Sequence, residues 1–276
     1  MDHGEPRRAE KRRRRRRVAL CVVAVLLLVI IVAVVLGVTL RKETETNQFQ
    51  SVFLNIKSCH LFFRNNCQKI WETFQQAYVN RDPCKVPMEA YDPLVTAAPF
   101  KPTCNRVMFW SKTKVVVHEF TEKTDCFVTL EDTLLGYVLD GLTWCGKEGS
   151  SETFTTDCPV WTDCENNTVS SFWKRVSAAV RARCGTMISC NCFKLYFFIL
   201  AVSIFGSIEV KGLNATRVNS LTVVLVTEEE NVTNCTDASL KVLQKELPAG
   251  INYGCEEVSQ LQECGSDPQR PCGSCW

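Results

Sequence analysis

Histidine is scarce in this chain, net charge is small, and only one stretch stays free of charge long enough to cross a bilayer. The histidines are His3, His60 and His118. No repeated C-x2-C pair stands at ribbon or RING spacing, so the usual zinc patterns are missing and no metal is expected. Cys272-Gly-Ser-Cys275 is a lone C-x2-C. A formal charge of +2, with 46% hydrophobic and 22% charged residues among 276, excludes a disordered or low-complexity protein. That small charge hides an asymmetry. Of 32 basic residues, 11 lie in the first 42 positions against Asp2, Glu5 and Glu10, leaving 21 basic and 27 acidic residues in 43–276, a net of −6. No nucleic-acid surface is expected on the bulk of such a protein. Leu195 to Ile208 carries no charge, but its 14 residues fall short of a second span.

The one sufficient stretch is Val18 to Leu40, 23 residues without a charge. A helix of that length reaches about 34 Å, enough for a hydrocarbon layer of about 30 Å. A cleaved signal peptide would have a shorter apolar core and a small-residue cleavage site, and Leu36-Gly37-Val38-Thr39 is a poor one. An uncleaved signal-anchor is therefore expected. The basic block Lys11 to Arg17 holds its flank in the cytosol and is attracted to anionic lipid. Residues 1–17 then form a cytoplasmic tail, 18–40 the transmembrane helix and 41–50 a polar stalk. Everything beyond is extracellular or lumenal. Of 17 cysteines only Cys21 precedes position 58, a density that fits an oxidising compartment. Sequons at Asn166, Asn214, Asn231 and Asn234 lie on the same side and mark candidate glycosylation sites.

Apolar spacing at Ile70, Trp71, Phe74, Ala77 and Tyr78 predicts a helix over 67–79, stopped by Asp82-Pro83. Val107-Met108-Phe109-Trp110 has the length of a buried strand. Thr129-Leu130-Glu131-Asp132 has the form of a capping box before a helix at about 130–141. A further helix is expected from Ser170 to about Arg183. Ser207-Ile208-Glu209-Val210 alternates as a strand does, with Ser207 and Glu209 on one face. Leu221 to Thr227 is a β-branched strand, and Ala238 to Glu246 an amphipathic helix. The first half thus reads as mainly helical and the second as α/β.

Thr129-Leu-Glu-Asp-Thr-Leu-Leu-Gly-Tyr-Val-Leu-Asp-Gly-Leu-Thr-Trp-Cys-Gly146 resembles the signature of the ADP-ribosyl cyclase/NAD glycohydrolase family, whose mammalian lymphocyte ectoenzyme is a type II membrane protein. The likeness continues in Cys104-Asn105 through Trp110-Ser111, in Ser171-Phe172-Trp173-Lys174-Arg175-Val176-Ser177, and in Phe205-Gly206-Ser207-Ile208-Glu209-Val210. With the cysteines it covers about 67–272.

The resemblance implies six disulfides: Cys59 with Cys67, Cys84 with Cys164, Cys104 with Cys184, Cys145 with Cys158, Cys235 with Cys255, and Cys264 with Cys272. Spacing alone does not supply that pairing. It implies an α/β fold: a mainly helical subdomain (51–103 with 129–183) and an α/β subdomain with a short parallel sheet (104–128 with 184–276), the active site lying in the cleft between them. The implied activity is cleavage of NAD to nicotinamide and ADP-ribose or cyclic ADP-ribose, and hydrolysis of the latter, by a plasma-membrane ectoenzyme. NAD is the substrate, and no cofactor is implied. The likeness leaves room for NADP, for a homodimer and for receptor partners.

Residue by residue, Glu209 is similar to the family's catalytic glutamate, which faces the ribose. By sequence alone it would be a solvent-facing strand glutamate. Trp173 and Ser177 stand four apart and share a helix face. Trp110 looks like a second stacking tryptophan, with Ser111 and Lys112 as phosphate-side donors. Glu131 and Asp140 resemble the acidic pair that holds the nicotinamide carboxamide, where sequence alone would assign them to a helix dipole and a helix end. Phe205 and Gly206 complete the site, the glycine letting backbone N–H groups approach a phosphate. Departures from the family pattern are Lys112 in place of arginine, Ile204 in place of threonine, Gly141 in place of a second aspartate, a short Cys59 to Cys67 interval, and an unfamiliar segment from Ser189 to Val202. The rival to an enzyme is a receptor or adhesion ectodomain that keeps the fold and has lost turnover.

Overall fold

A computed structural model describes residues 20, 22–38, 66–100, 107–111, 113–123, 127–183, 187–192, 204–216, 218–226 and 234–258. The chain divides into two compact units, Met1–Gln50 and Ser51–Trp276.

In the first unit, residues 22–38 are helical, and the large apolar side chains described there are all exposed. Among the described residues no helix is long and apolar enough to cross a membrane. The described turns reach only about 26 Å by the standard helical rise. The flanking positions 18, 19, 21, 39 and 40 of the expected span, the tail 1–17 and the stalk 41–50 lie outside the described residues.

The second unit begins, in its described part, with α1 (Cys67–Tyr78). Asn66 caps it by accepting from the Lys69 N–H, and Ile70, Trp71, Phe74, Ala77 and Tyr78 are buried as their spacing requires. It ends earlier than Asp82-Pro83, because Asn80 turns into the left-handed region at φ 58°. A 3-10 turn (Met88–Tyr91) and α2 (Asp92–Ala97) follow. Next come β1 (Val107–Ser111), α3 (Lys114–Lys123), α4 (Leu134–Leu139) and the long α5 (Thr168–Arg183). Then β2 (Met187–Cys192), β3 (Ser220–Val226), α6 (Ala238–Glu246) and β4 (Asn252–Val258) complete the described elements.

The strands form one sheet in the order β1-β2-β3-β4, and every neighbouring pair is parallel. This is the short parallel sheet the resemblance implied. β2 pairs Val107 with Ile188 on one side and Leu221 with Ile188 on the other, so Ser189 to Cys192, the start of the unfamiliar segment, continues a central strand. Residues 193–203 lie outside the described residues. Val107, Phe109, Leu221, Val223 and Leu225 pack under the sheet with Val180, Leu240 and Leu243.

Two expectations are corrected. The helix after Glu131 starts at Leu134 rather than 130, capped by the Thr133 hydroxyl, which accepts from the Gly136 N–H at 3.0 Å. Asp132 does reach back to the Thr129 N–H (2.7 Å), but it closes a turn ahead of the helix, with the Thr129 hydroxyl donating to the same carboxylate. The second correction concerns Glu209. Phe205–Glu209 is a π-helical turn running into a 3-10 turn, Val210–Gly212, not a strand. Four residues of alternation also suit a helical turn whose apolar ends are buried: Phe205 and Val210 are 2% and 1% exposed within the core.

Cys84–Cys164, Cys145–Cys158 and Cys235–Cys255 are bonded as expected. Cys67 is disulfide-bonded too. Cys59, Cys104, Cys184, Cys264 and Cys272 lie outside the described residues, as do Cys126 and Cys275.

Candidate active site

An open cavity of about 520 Å³ collects residues from six places in the chain. β1 brings Trp110 at its C-terminal end, the side of a parallel sheet where α/β proteins bind ligands. The turn before α4 brings Glu131, the residue after α4 brings Asp140, α5 brings Trp173 and Ser177, and the π-helical turn brings Phe205 and Glu209. A second crevice, lined by Val95, Phe100, Leu135, Val176 and Val180 among others, has a cavity of only about 20 Å³ and no titratable group.

Glu209 is 6% exposed and accepts a hydrogen bond from the Ser177 hydroxyl, itself fully buried. Helical spacing explains the pairing: Trp173 and Ser177 stand one turn apart on α5, so the indole and the hydroxyl face the same space. A buried carboxylate held by a neutral donor keeps its field for whatever enters, because little water screens it.

Two further carboxylates, Glu131 and Asp140, line the cavity. Glu131 Oε2 accepts from the Trp110 indole N–H at 3.0 Å and lies 3.5 Å from His118 Nε2. The His118 ring stands edge-on to Trp110, centroids 6.2 Å apart. Asp140 is not an open carboxylate: both its oxygens receive the Lys114 ammonium, at 2.5 and 2.7 Å. Lys114 is a lining residue that motif reasoning passed over. Its distance of four residues from Trp110 was no signal, because the chain changes from strand to helix between them. Lys112 lies outside the described residues, and Ser111 is placed only through its backbone in β1.

Gly136 keeps the acidic wall close. A methyl group there would meet the Leu130 carbonyl oxygen at 2.0 Å and the Glu131 Cα at 2.7 Å, so only a bare α-carbon lets the Glu131 turn pack on α4. Gly141 lines the cavity at φ +70°, with open space where a side chain would be. Gly206 is buried in the π-helical turn, and Ile204 lines the cavity beside it. Among the described residues, no cluster of histidine, cysteine, aspartate and glutamate could hold a metal ion.

A short parallel sheet with a cavity walled by tryptophans and carboxylates at one strand end defines an α/β protein with an acidic, aromatic pocket. The family model for ADP-ribosyl cyclase matches residues 46–273. The chain belongs to that family. Mouse ADP-ribosyl cyclase/cyclic ADP-ribose hydrolase 1 is 31% identical over 245 residues, covering 83% of this chain and 80% of the mouse protein. Human ADP-ribosyl cyclase/cyclic ADP-ribose hydrolase 2 is 31% identical over 195 residues, 69% of this chain and 61% of the human one. Among solved structures, porcine CD38 complexed with a covalent intermediate, ribo-F-ribose-5'-phosphate, matches with a TM-score of 0.68 at 32% identity, covering 76% of this chain and 95% of that chain.

Proposed function

We propose that this chain is an ecto-NAD glycohydrolase and ADP-ribosyl cyclase, which also hydrolyses cyclic ADP-ribose. The observation that carries the reading is Glu209, a carboxylate 6% exposed in a cavity walled by Trp110 and Trp173. Breaking the nicotinamide to ribose bond puts positive charge on the ribose C1′ and O4′. A buried, fixed carboxylate stabilises that charge far more than it stabilises the neutral ground-state sugar, so its effect falls on the rate of bond breaking. The tryptophan walls suit a pyridinium ring, which gains from a π face as well as from burial. Glu131, turned into the cavity, can accept from the carboxamide N–H₂ of nicotinamide. Asp140, the other acidic residue read for the carboxamide, has both its oxygens on the Lys114 ammonium, which leaves Glu131 as the better acceptor for that group. After nicotinamide leaves, water attack on the ribose gives ADP-ribose, and attack by adenine N1 gives cyclic ADP-ribose.

In this reading 51–103 with 129–183, and 104–128 with 184–276, are the two subdomains, and the lining residues come from both sets. Residues 18–40 act as the signal-anchor of a type II plasma-membrane protein, on the strength of the basic block before them and the disulfides after them. Asn166 and Asn214 are exposed and Asn234 half-buried, which suits glycosylation. Asn231 lies outside the described residues.

The deciding experiment is nicotinamide release from NAD by the full-length chain in detergent, beside Glu209→Gln. Turnover by the parent and its loss in the variant support the reading. A parent chain that releases no nicotinamide points to the receptor-like ectodomain instead. Unchanged mobility after glycosidase treatment, with the C-terminus spared by surface protease, would overturn the orientation.

A further inference from the structure

Glu131 has two neighbours that share one oxygen. Oε2 takes the Trp110 indole N–H at 3.0 Å, and the same atom lies 3.5 Å from His118 Nε2. The His118 side chain is 24% exposed, yet its Nε2 is shut off from solvent and makes no hydrogen bond. A buried ring nitrogen with no partner, aimed at a carboxylate, is costly unless the contact tightens in use. The helix that carries the ring is anchored: α3 packs beside β1, and Val117 and Phe120, close to His118 in sequence, are buried. The remaining charged neighbours are committed or turned away. Lys114, one turn earlier on α3, is bound to Asp140, and Glu119 and Glu122 are exposed.

We propose that His118 is a positioning residue of the cavity: by donating from Nε2 to Glu131 Oε2 it holds the carboxylate, and through it the Trp110 indole, in the arrangement that receives the pyridine end of the substrate. If Nε2 presented its lone pair instead, it would face an anionic oxygen at 3.5 Å, so the tautomer with the proton on Nε2 is the one the geometry favours. His118 does not itself line the cavity. It therefore acts on recognition through Glu131, while the bond broken lies beside Glu209. The inference rests on the NAD reading for its kinetic consequence, but the contact between His118 and Glu131 can be examined without turnover.

The test uses the full-length chain and two variants. His118→Phe keeps the ring volume and removes the donor. His118→Gln restores an N–H close to the Nε2 position. The expected result is a rise of about fivefold in the NAD KM for His118→Phe with kcat within about twofold, and recovery of KM to within about twofold of the parent in His118→Gln, a binding split that preorganisation predicts. A merely structural defect would lower the active fraction and leave KM unchanged. That outcome, or a glutamine variant as impaired as the phenylalanine one, overturns the proposal. Thermal unfolding of His118→Phe, Glu131→Gln and the double variant is the second measurement. Coupling predicts a combined loss of Tm about 2 °C or more below the sum of the single losses, and strict additivity overturns the contact. Should the parent chain release no nicotinamide, the NAD reading falls while the unfolding cycle still decides whether His118 holds Glu131.

Discussion

Around Phe74 the interior is aromatic and electrically neutral, whereas around Glu209 it is aromatic and charged. Phe74 packs with Trp71, Tyr78, Tyr91, Trp144 and Phe172, ring centroids 5.0 to 6.5 Å apart, and it meets Tyr78 and Phe172 edge-to-face, an arrangement that ring quadrupoles favour. The polar ends of Trp144, Tyr91 and Tyr78 are paired within the protein. Trp144 Nε1 donates to the Tyr91 hydroxyl at 3.2 Å, Tyr91 donates to the Thr168 carbonyl at 3.1 Å, and the Tyr78 hydroxyl meets Thr153 at 3.0 Å. Burial drives both tyrosine pKa values well above the ordinary phenol range, so these groups stay neutral wherever the fold survives. Glu209, Glu131 and Asp140 are placed differently, on the wall of a cavity, where they accept from the Ser177 hydroxyl, the Trp110 indole and the Lys114 ammonium in turn. The neutral region is closed within the fold, whereas the charged one lines a cavity.

The sharpest break in that contrast is Glu209→Gln. The variant is expected to lose about three orders of magnitude in kcat, in line with the removal of an electrostatic group at a developing charge, while NAD binding is largely kept. Its Tm should hold or rise, because a buried charge has been replaced by a neutral amide. A kcat near that of the parent takes Glu209 out of the chemistry. Trp144→Ala is the mirror experiment. It empties a fully buried site and orphans the Tyr91 hydroxyl as an acceptor, and urea unfolding should register a loss of about 3 to 5 kcal/mol. The NAD KM of the remaining folded enzyme should be unchanged, and a large KM effect would show that the two regions are not separable.

Gly136→Ala joins the two regions. The added methyl pushes the Leu130 carbonyl and Glu131 away from α4, so stability should fall by about 1 to 3 kcal/mol and the NAD KM should rise in the same variant. A stability loss with no change in KM would detach Glu131 from recognition.

The smallest expected effect lies away from both regions. Asp237 caps α6, and its carboxyl is held below the ordinary 3.8 by bonds from the Ser239 hydroxyl and N–H. A depressed carboxyl stabilises the fold above its unfolded value and loses that contribution as pH falls through the lower folded one. Asp237→Ala should cost about 1 kcal/mol at pH 7. The gap between parent and variant should shrink below pH 4, and a constant gap in urea unfolding across pH 7 to 3 would contradict the ionised cap.

What the sequence by itself determined is whatever depends on a period repeated over several turns or on a long shared motif. Cys67–Tyr78, Thr168–Arg183 and Ala238–Glu246 are helices, and Ser220–Val226 a strand, within a residue or two of the expected bounds, because apolar spacing over nine or more residues, or a β-branched run, leaves one solution. Family likeness carried three of the described disulfides and drew attention to Trp110, Glu131, Trp173 and Glu209. Tertiary structure alone decided the rest. The alternation at Ser207 to Val210 spans too few residues to separate a strand from a helical turn, and the burial of Phe205 and Val210 chose the turn. β4 gave no sequence signal because Asn252-Tyr-Gly-Cys-Glu-Glu-Val258 lies at the end of the described strand order and is half exposed, so its pairing with β3 comes from register rather than hydrophobicity. Likewise the Lys114 to Asp140 bond and the approach of His118 to Glu131 join residues 26 and 13 positions apart, and no local pattern encodes a distance that exists only once α3 has packed beside the strand that carries Trp110.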